Sequence, residues 1–337
     1  MSAITHIGLG IPPNAYTQAE IFAVMGLRRL YWDVFKSAGI LKRHLCYPPE
    51  VTVKSTAQEH HDHFQEGALK LALQAVTSCL EKAGLKPTDI QCMAATNCTG
   101  FMCPGLEHEI AGELGMRDDM VLTPLQGVGC GGLGPTLRRV DDYLRLNPGH
   151  RALAVAVEVS GAAYHPKRNN IGLILGNAIF ADGAAALLVE GMSSSKGLHL
   201  IKFHHLHDYA NRHTVGMVWD DAMLKLELPS RTAEISTPLI KRMHALLTKD
   251  GETPKHVVIH SGGMSILDQA REVLGLDKEM LKHSYKTWES YGNMSSATIG
   301  FSIESLMSSG ELKDGDVVEI MVMGAGFSVD GILAYYG

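Results

Sequence analysis

Short apolar runs that alternate with helical patterns are the feature that most limits how this chain can fold. Six runs rich in Val, Ile and Ala have the length of β-strands: 4–8, 92–96, 152–159, 184–189, 256–260 and 317–323. Four other segments carry apolar residues at three- and four-residue spacing, as helices do: 65–82, 137–146, 238–247 and 265–274. Because the strands are almost continuously apolar, we expect an α/β fold whose sheet is covered by helices on both faces.

The length of 337 residues exceeds what one hydrophobic core usually supports. We therefore expect two halves of similar size, residues 1–170 and 171–337, that share one interior. The formal net charge of −6 argues against a nucleic-acid partner. The N-terminus lacks the pattern of a signal peptide, and no stretch has the roughly 18 to 20 apolar residues of a membrane span. Six scattered cysteines do not form a disulfide framework, so we expect a cytoplasmic protein.

One cysteine stands among five glycines in segment 124–135, directly before the helical pattern 137–146. Cys130 would sit at the start of a helix, where the helix dipole and nearby amide groups stabilise a thiolate. The thiolate is the nucleophilic form of cysteine, so Cys130 is our candidate nucleophile. A small buried cysteine beside closely packed glycines is the alternative. Pro135 lies beyond the first turn of a helix that begins at Cys130, which predicts an irregular helix start.

A histidine and an asparagine occupy two further turns. His260 ends an apolar run and precedes the glycine pair Gly262 and Gly263. Asn293 lies in a turn of small residues before the apolar helical stretch 299–307. Taken alone, His260 could be an ordinary hydrogen-bonded residue at a strand end, and Asn293 could be a helix cap.

Together, cysteine, histidine and asparagine on three separate turns supply the groups that acyl transfer needs. A thiolate accepts an acyl group from a thioester. Histidine and asparagine side chains donate hydrogen bonds to a thioester carbonyl that becomes an enolate. The set of Cys130, His260 and Asn293 therefore predicts decarboxylative condensation.

The residues around the histidine and the asparagine resemble the motifs of a known family. His-x-Gly-Gly-x-x-Ile-Leu-Asp at 260–268 and Tyr-Gly-Asn-Met-Ser-Ser-Ala at 291–297 are similar to motifs of the type III polyketide synthases, the chalcone synthase group of the thiolase superfamily. Segments 11–18, 37–43 and 180–186 are similar to the same family. The resemblance covers nearly the whole chain.

This resemblance implies the thiolase fold, a duplicated five-layered α/β/α/β/α architecture, usually in a homodimer. The N-terminal half would carry the nucleophile Cys130, which holds the growing acyl chain. The C-terminal half would carry His260 and Asn293, which promote decarboxylation of malonyl-coenzyme A, and His260 would keep Cys130 ionised. The family takes acyl-coenzyme A and malonyl-coenzyme A as substrates and uses no metal or further cofactor.

The resemblance also implies which residues bind the acyl chain. Phe180 matches a gatekeeper phenylalanine between tunnel and cavity, with a core aromatic residue as the alternative. Ser295 is expected to line the cavity, and Gly262 and Gly263 to cradle the thioester. Cys103 aligns with a residue that reaches across the dimer toward the partner's cavity.

Four basic residues lie where relatives bind the phosphates of coenzyme A: Arg28, Arg29, Lys36 and Lys42. A few such cations are enough to hold the charged nucleotide end. The alternative is a solvated helical face.

Two segments depart from the family pattern. The C-terminal Gly-Phe-Gly-Pro-Gly loop of the family is replaced by segment 324–330, which is closer to the ketoacyl-acyl-carrier-protein synthase III group. The stretch 223–228 offers no second gatekeeper phenylalanine. Chain length, cyclisation and the starter pocket therefore stay open.

Two histidine-dense stretches, 59–63 and 203–207, raise the alternative of metal binding. The first is expected to open an amphipathic helix and the second to end an exposed strand. Cys98 and Cys103 have no second pair of ligands at finger-like spacing. We predict no metal site.

The main hypothesis is an iterative enzyme that extends an acyl-coenzyme A starter with malonyl-coenzyme A and releases a pyrone or aromatic ring. A ketoacyl synthase III-like enzyme that performs a single acyl transfer or condensation is the nearest rival. A thiol hydrolase and a non-catalytic partner subunit are the remaining alternatives. The acyl donor is either coenzyme A or an acyl carrier protein.

Overall fold

The fold is described from a computed structural model of the chain. The structure describes residues 1–163, 171–192, 195–220, 223–227, 229, 232–260 and 262–337. The expected boundary near residue 170 borders a segment outside these residues, and the side chains of 223–228 also lie outside the description.

The described residues form the following strands: β1 (Ser2–Gly10), β2 (Asn14–Tyr16), β3 (Arg43–Leu45), β4 (Cys92–Asn97), β5 (Val121–Gln126), β6 (Arg151–Val159), β7 (Asp182–Gly191), β8 (Leu198–His207), β9 (Gly216–Asp220), β10 (Met223–Glu227), β11 (His256–Ile259), β12 (Val317–Gly324) and β13 (Ser328–Tyr336). They form the following α-helices: α1 (Gln18–Met25), α2 (Trp32–Ser37), α3 (Pro49–Thr52), α4 (Ala57–Ala83), α5 (Leu106–Glu113), α6 (Leu133–Leu146), α7 (Ile171–Ile179), α8 (Thr232–Leu247), α9 (Met264–Leu274), α10 (Lys282–Tyr291) and α11 (Thr298–Met307). Each apolar run and each helical pattern of the sequence overlaps one of these elements.

The central sheet consists of two copies of the same strand topology. Its strand order is β11-β12-β13-β8-β1-β7-β6-β4-β5. From the middle outward, β1 pairs antiparallel with β7, β7 antiparallel with β6, and β6 parallel with β4. The other direction gives the same sequence of pairings, through β8, β13, β12 and β11. The two copies join where β1 pairs antiparallel with β8, at Ala3 opposite His199.

Helices fill three layers around this sheet. Helix α4 covers one face of the N-terminal strands. Helices α6 and α11 form a shared middle layer, because their apolar side chains pack against strands of both copies. Helices α8 and α9 cover the outer face of the C-terminal strands. The resulting order of helix, strand, helix, strand and helix confirms the predicted duplicated five-layered fold.

Helix α4 begins eight residues before the apolar pattern of the sequence predicts, because a capping box fixes its first turn. The Thr56 hydroxyl accepts a hydrogen bond from the Glu59 amide at 3.2 Å, and the Glu59 carboxylate accepts one from the Thr56 amide at 2.7 Å. At the other end, Gly84 has φ 66°, a left-handed conformation that favours glycine at a helix C-terminus. Because the helix starts early, His60 and His61 lie on its first turns.

Two glycines of β1 let α4 lie directly on the sheet. A Cβ atom on Gly8 would come within 2.0 Å of the Ala75 carbonyl oxygen, and one on Gly10 within 2.2 Å of the Leu71 carbonyl oxygen. Side chains at these two positions would therefore push the helix backbone off the strand. None of the helices in the described part of the chain has the length and apolar character that crossing a bilayer requires.

We predict that Gly8→Ala lowers the free energy of unfolding by about 2 kcal/mol, because the added methyl group overlaps helix backbone that cannot move aside. Urea unfolding followed by circular dichroism measures the change. Gly149→Ala is the matched control, since no atom lies within 4 Å of the new methyl group there. Equal midpoints for the two variants would contradict the close packing of α4 on β1.

Candidate active site

Cys130 lies on a 3₁₀ turn, Gly129–Gly131, between β5 and α6. The α-helix itself begins only at Leu133, so Pro135 occupies its first turn, where a proline costs no hydrogen bond. The predicted irregular start of the helix is confirmed. The turn presents the Cys130 side chain at the end of the sheet.

The glycines around Cys130 allow the C-terminal loop to touch the backbone of this turn. A Cβ atom on Gly131 would lie 2.8 Å from the Cα atom of Gly324, and one on Gly129 would lie 2.9 Å from the Cβ atom of Ala325. The Ala325 amide donates a hydrogen bond to the Val128 carbonyl at 2.9 Å. The segment that departs from the family pattern is therefore packed directly against the candidate nucleophile.

His260 follows the last residue of β11, and its side chain is buried. Its amide donates a hydrogen bond to the Met321 carbonyl of β12 at 2.9 Å, which continues the pairing of the two strands. Among the described residues, neither ring nitrogen of His260 has a hydrogen-bond partner. Both nitrogens are thus available to a bound molecule.

Asn293 is held by the backbone on both sides. Its amide donates to the Ile179 carbonyl and its carbonyl accepts from the Ala181 amide, each at 2.9 Å. Its side-chain oxygen accepts a hydrogen bond from the Ser295 amide at 2.8 Å. Asn293 therefore does cap the turn that follows it, as the simpler interpretation predicts, but the cap uses only Oδ1. The Nδ2 group is left as a donor, and a hydrogen bond from the Asn293 side chain acts to lower the pKa of Cys130.

Ser295 connects two thiols. Its hydroxyl lies 3.3 Å from the Cys130 sulfur and 3.2 Å from the Cys98 sulfur. The residue has φ 48°, an uncommon conformation for a side chain other than glycine, and it is almost completely buried. This strained backbone aims the hydroxyl between the two sulfur atoms, and such strain is concentrated at functional sites.

A buried glutamate lies behind this group. Glu158 of β6 accepts hydrogen bonds from the hydroxyls of Ser296 at 2.5 Å and Thr99 at 2.8 Å, and from the Cys98 amide at 3.1 Å. Burial raises the pKa of its carboxyl group, and the hydrogen bonds oppose that shift. Glu158 and the place of Cys98 in this site were not predicted from the sequence, although a charged residue inside a buried apolar strand is a signal that could have identified Glu158.

Cys130, His260 and Asn293 line one cavity of about 740 Å³. Ser295, Phe180 and Gly262 also line it. Their roles in substrate binding stay predictions. Loop residues 324, 325 and 327–329 form part of the wall, and the first turns of α4 contribute His60, His61 and Phe64. The three reactive side chains thus come from three different turns, at residues 129–131, 260–262 and 292–295, and meet in a space large enough for an acyl chain.

Burial controls the protonation of the two titratable groups. It raises the pKa of the Cys130 thiol to about 11, while a hydrogen bond from Ser295 opposes the shift. It lowers the pKa of His260 to about 4. Both groups are therefore neutral near pH 7 in the free protein. The role of His260 in keeping Cys130 ionised stays a prediction, since the hydrogen bonds of the described residues do not join the two.

Phe180 directly follows helix α7, and a buried cation binds its main chain. The Arg43 guanidinium donates hydrogen bonds to the carbonyl oxygens of Phe180 at 2.8 Å and Asn177 at 2.7 Å. Phe180 also forms an isolated β-bridge with Asn293. Its ring belongs to a cluster of apolar residues and at the same time lines the cavity, so it has features of both the gatekeeper and the core residue.

Other predicted site residues are not part of the cavity wall. Gly263 is the residue before helix α9, and Cys103 is exposed. The four basic residues proposed for coenzyme A are exposed on the segment that contains α1 and α2, where Arg28 lies over the Tyr31 ring. Their roles in binding stay predictions.

The histidine-dense stretches lie as expected, one on the first turns of α4 and the other at the end of β8. In the described residues, no three histidine, cysteine, aspartate or glutamate side chains are grouped so that they could hold a metal ion. His63 instead stacks on Tyr47 with ring centroids 4.0 Å apart.

Family models match two parts of the chain. Residues 35–192 match the model of chalcone and stilbene synthases, N-terminal domain. Residues 249–336 match the model of 3-oxoacyl-[acyl-carrier-protein] synthase III, C terminal. The second match agrees with the form of the loop at 324–330.

Curated relatives align over nearly the full length. A 3,5-dihydroxyphenylacetyl-CoA synthase of Streptomyces toyocaensis is 25% identical, with 99% of this chain and 90% of the relative covered. A 1,3,6,8-tetrahydroxynaphthalene synthase of Streptomyces coelicolor is 26% identical, with 94% and 87% covered. A phloroglucinol synthase of Pseudomonas fluorescens is 23% identical, with 86% and 84% covered.

Solved structures show the same fold. The tetrahydroxynaphthalene synthase of Streptomyces coelicolor superposes with a TM-score of 0.94 at 23% identity, with 99% of each chain covered. A fungal type III polyketide synthase superposes with a TM-score of 0.88 at 23% identity over 100% of each chain. The solved structures show the fold alone. The two family models and the curated relatives show that the chain is similar over nearly its full length to type III polyketide synthases and that it is an acyltransferase-type condensing enzyme.

Proposed function

We propose that the protein condenses malonyl-coenzyme A with an acyl group carried on Cys130, and that it does so repeatedly to build a polyketide. The observation that carries this proposal is the meeting of Cys130, His260 and Asn293 in one cavity of about 740 Å³. The names of the curated relatives, which are synthases of aromatic polyhydroxy compounds, support an iterative reaction.

The first step is acyl loading. The Cys130 sulfur attacks the thioester carbonyl of acyl-coenzyme A, and its proton passes to His260. His260 is neutral, and its ring nitrogens have no hydrogen-bond partner in the part of the chain that the structure describes. The carbon–sulfur bond to coenzyme A then breaks, and the leaving thiolate takes the proton back from His260. Cys130 now carries the acyl group as a thioester.

The second step is condensation. Malonyl-coenzyme A loses carbon dioxide, and the electron pair of the broken carbon–carbon bond forms an enolate. One ring N–H of His260 and the Nδ2 group of Asn293 donate hydrogen bonds to the enolate oxygen. The enolate carbon attacks the acyl carbonyl on Cys130, and the sulfur leaves as a thiolate. A neutral His260 suits this step, because it has a proton to donate without first being charged.

Single condensation is the second candidate function. The C-terminal match to the 3-oxoacyl-[acyl-carrier-protein] synthase III model favours it, as does the packing of segment 324–330 against the nucleophile turn. The two functions differ in the number of malonyl units in the product. They can also differ in the acyl donor, which is a carrier protein in the name of that model.

The homodimer and the cytoplasmic location stay predictions. Strand β5 supports a dimer, because it is the outer strand of the sheet at the N-terminal end and its residues are partly exposed. An unpaired edge of this kind is a surface on which a second copy can add its own strand.

We predict that Cys130→Ala abolishes both the acyl adduct and polyketide formation. Mass spectrometry of products and intact protein, after incubation with malonyl-coenzyme A and a panel of acyl-coenzyme A starters, measures this. Cys92→Ala is the control, because Cys92 is the first residue of β4 and is not part of the cavity wall. Products with several malonyl units support the iterative function, and products with one support single condensation. Polyketide from Cys130→Ala would refute both.

We predict that Asn293→Asp slows malonyl-coenzyme A decarboxylation by roughly 10²- to 10³-fold, the range found when one donor to a developing oxyanion is removed. Aspartate keeps an oxygen for the Ser295 amide, so the turn is preserved while the donor is lost. Release of labelled carbon dioxide measures the reaction, and acylation of Cys130 serves as the internal control. An unchanged decarboxylation rate would exclude Asn293 from this role.

We predict that alkylation of Cys130 by iodoacetamide becomes faster by about tenfold per pH unit between pH 7 and pH 10. The thiolate is the reactive form, and a thiol whose pKa is raised to about 11 forms more of it as the pH rises through this range. Peptide-level mass spectrometry distinguishes Cys130 from the exposed Cys103. A rate that is constant from pH 7 to pH 9 would instead indicate an ion pair between Cys130 and His260.

A further inference from the structure

The cavity has a second region, away from the reactive groups, whose polar side chains the reaction above does not use. His60 and His61 lie on the first turns of α4 and line the cavity beside Ala57, Phe64 and Phe101. The side chains of consecutive helix residues point about 100° apart, so the cavity must extend around the start of α4 for His60 and His61 both to line it. We call this region the imidazole end of the cavity.

A chain of contacts leads from Cys130 to the imidazole end. The Ser295 hydroxyl touches the sulfur atoms of both Cys130 and Cys98. Two residues after Cys98, the Gly100 backbone lies under the Phe64 ring, so closely that a Cβ atom on Gly100 would come within 2.2 Å of it. An acyl chain on Cys130 that extends past Ser295 and Cys98 therefore arrives at Phe64 and the two histidines.

The chemistry of this end is mixed. Phe64 and Phe101 give it aromatic walls, while His60 and His61 add imidazole groups that donate and accept hydrogen bonds. His60 is 93% buried, since only 7% of its surface is exposed, and His61 is partly buried. An alkyl chain at this end would exclude solvent from the cavity and would offer the imidazole groups no hydrogen bond in return, which costs free energy. A chain that carries oxygen atoms would replace them.

We propose that His60 and His61 select acyl chains that carry acceptor oxygen atoms at the end remote from the thioester. This inference rests on the proposed function, and it names the substrate class of that same cavity. Two sources provide such oxygen atoms: the ketone groups of the growing polyketide, and the free carboxylate of a malonyl starter. The same imidazole donors serve either one.

The test compares His60→Phe and His61→Phe with the wild type, using malonyl-coenzyme A alone and malonyl-coenzyme A with hexanoyl-coenzyme A. The measured quantity is a product ratio: products with three or more extensions divided by products with one or two. In each variant, we expect this ratio to fall about tenfold, which is the effect of losing about one hydrogen bond. The rate of Cys130 acylation by hexanoyl-coenzyme A is expected to change less than about twofold, because an alkyl chain makes no such bond.

The two arms distinguish the sources of oxygen. Loss of longer products with both starters assigns the histidines to the ketone groups of the growing chain. Loss only with malonyl-coenzyme A alone assigns them to the starter carboxylate. An unchanged product distribution in both arms overturns the inference. That result leaves the proposed function intact. The proposed function fails only if the wild type incorporates no malonyl carbon.

Three further variants separate hydrogen bonding from shape. His60→Gln and His61→Gln keep an N–H donor, so we expect them to restore the wild-type product ratio to within about threefold. If both glutamine variants lose longer products as the phenylalanine variants are expected to, the histidine side chains act only by their shape. That result would overturn the inference even if His60→Phe does not fold. His63→Phe is the matched control: it lies on the same turns of α4, stacks on Tyr47 and is not part of the cavity wall.

Discussion

The buried carboxylate of Glu158 connects the parts of the candidate site. It lies on β6 of the N-terminal copy and accepts hydrogen bonds from the end of β4, through Cys98 and Thr99. It also accepts one from Ser296 of the C-terminal copy. A buried carboxylate without partners would be very costly, so its hydrogen bonds hold these three segments in place. Asn293 and Ser295 are thereby positioned against Cys130 by a single charge.

The same carboxylate affects the chemistry of the site. Its charge adds to the burial that raises the pKa of Cys130, so the thiol is kept neutral until a substrate arrives. A neutral thiol and a neutral imidazole bring no charge into the cavity, and Glu158 is not among the described residues that line it. Hydrogen-bond donors on His260 and Asn293 can then respond to the charge that develops on the substrate. In the proposed reaction, these donors would stabilise the enolate as it forms.

Much of the fold follows from the local sequence. The apolar runs predicted strands correctly because buried strands need little else than β-branched and small apolar residues. Helix starts were harder, since they depend on caps rather than on periodicity. The capping box at Thr56 places the start of α4 earlier than predicted. Helix α8 begins at Thr232, before Pro238, where the predicted pattern starts. Strand β5 was missed because it is an edge strand with partly exposed residues and a proline.

The site was only partly accessible to sequence reasoning. Cys130, His260 and Asn293 each stand in a small, glycine-rich turn, a pattern visible in the sequence, and the structure brings them into one cavity. Glu158 and Cys98 belong to the site only through contacts between residues far apart in the chain. His60 and His61 drew attention as metal ligands, and their place in the cavity wall depends on where α4 starts.

The contact between the nucleophile turn and the C-terminal loop consists of backbone and one methyl group, through Gly129, Gly131, Gly324 and Ala325. The C-terminal loop therefore positions the main chain of the nucleophile turn. The cavity residues on α4, on α8 and at the start of β13 belong to other elements of the fold. In the proposed function, this arrangement would let one chemical step serve acyl chains of different lengths, because the nucleophile and much of the wall that meets the chain lie on different elements.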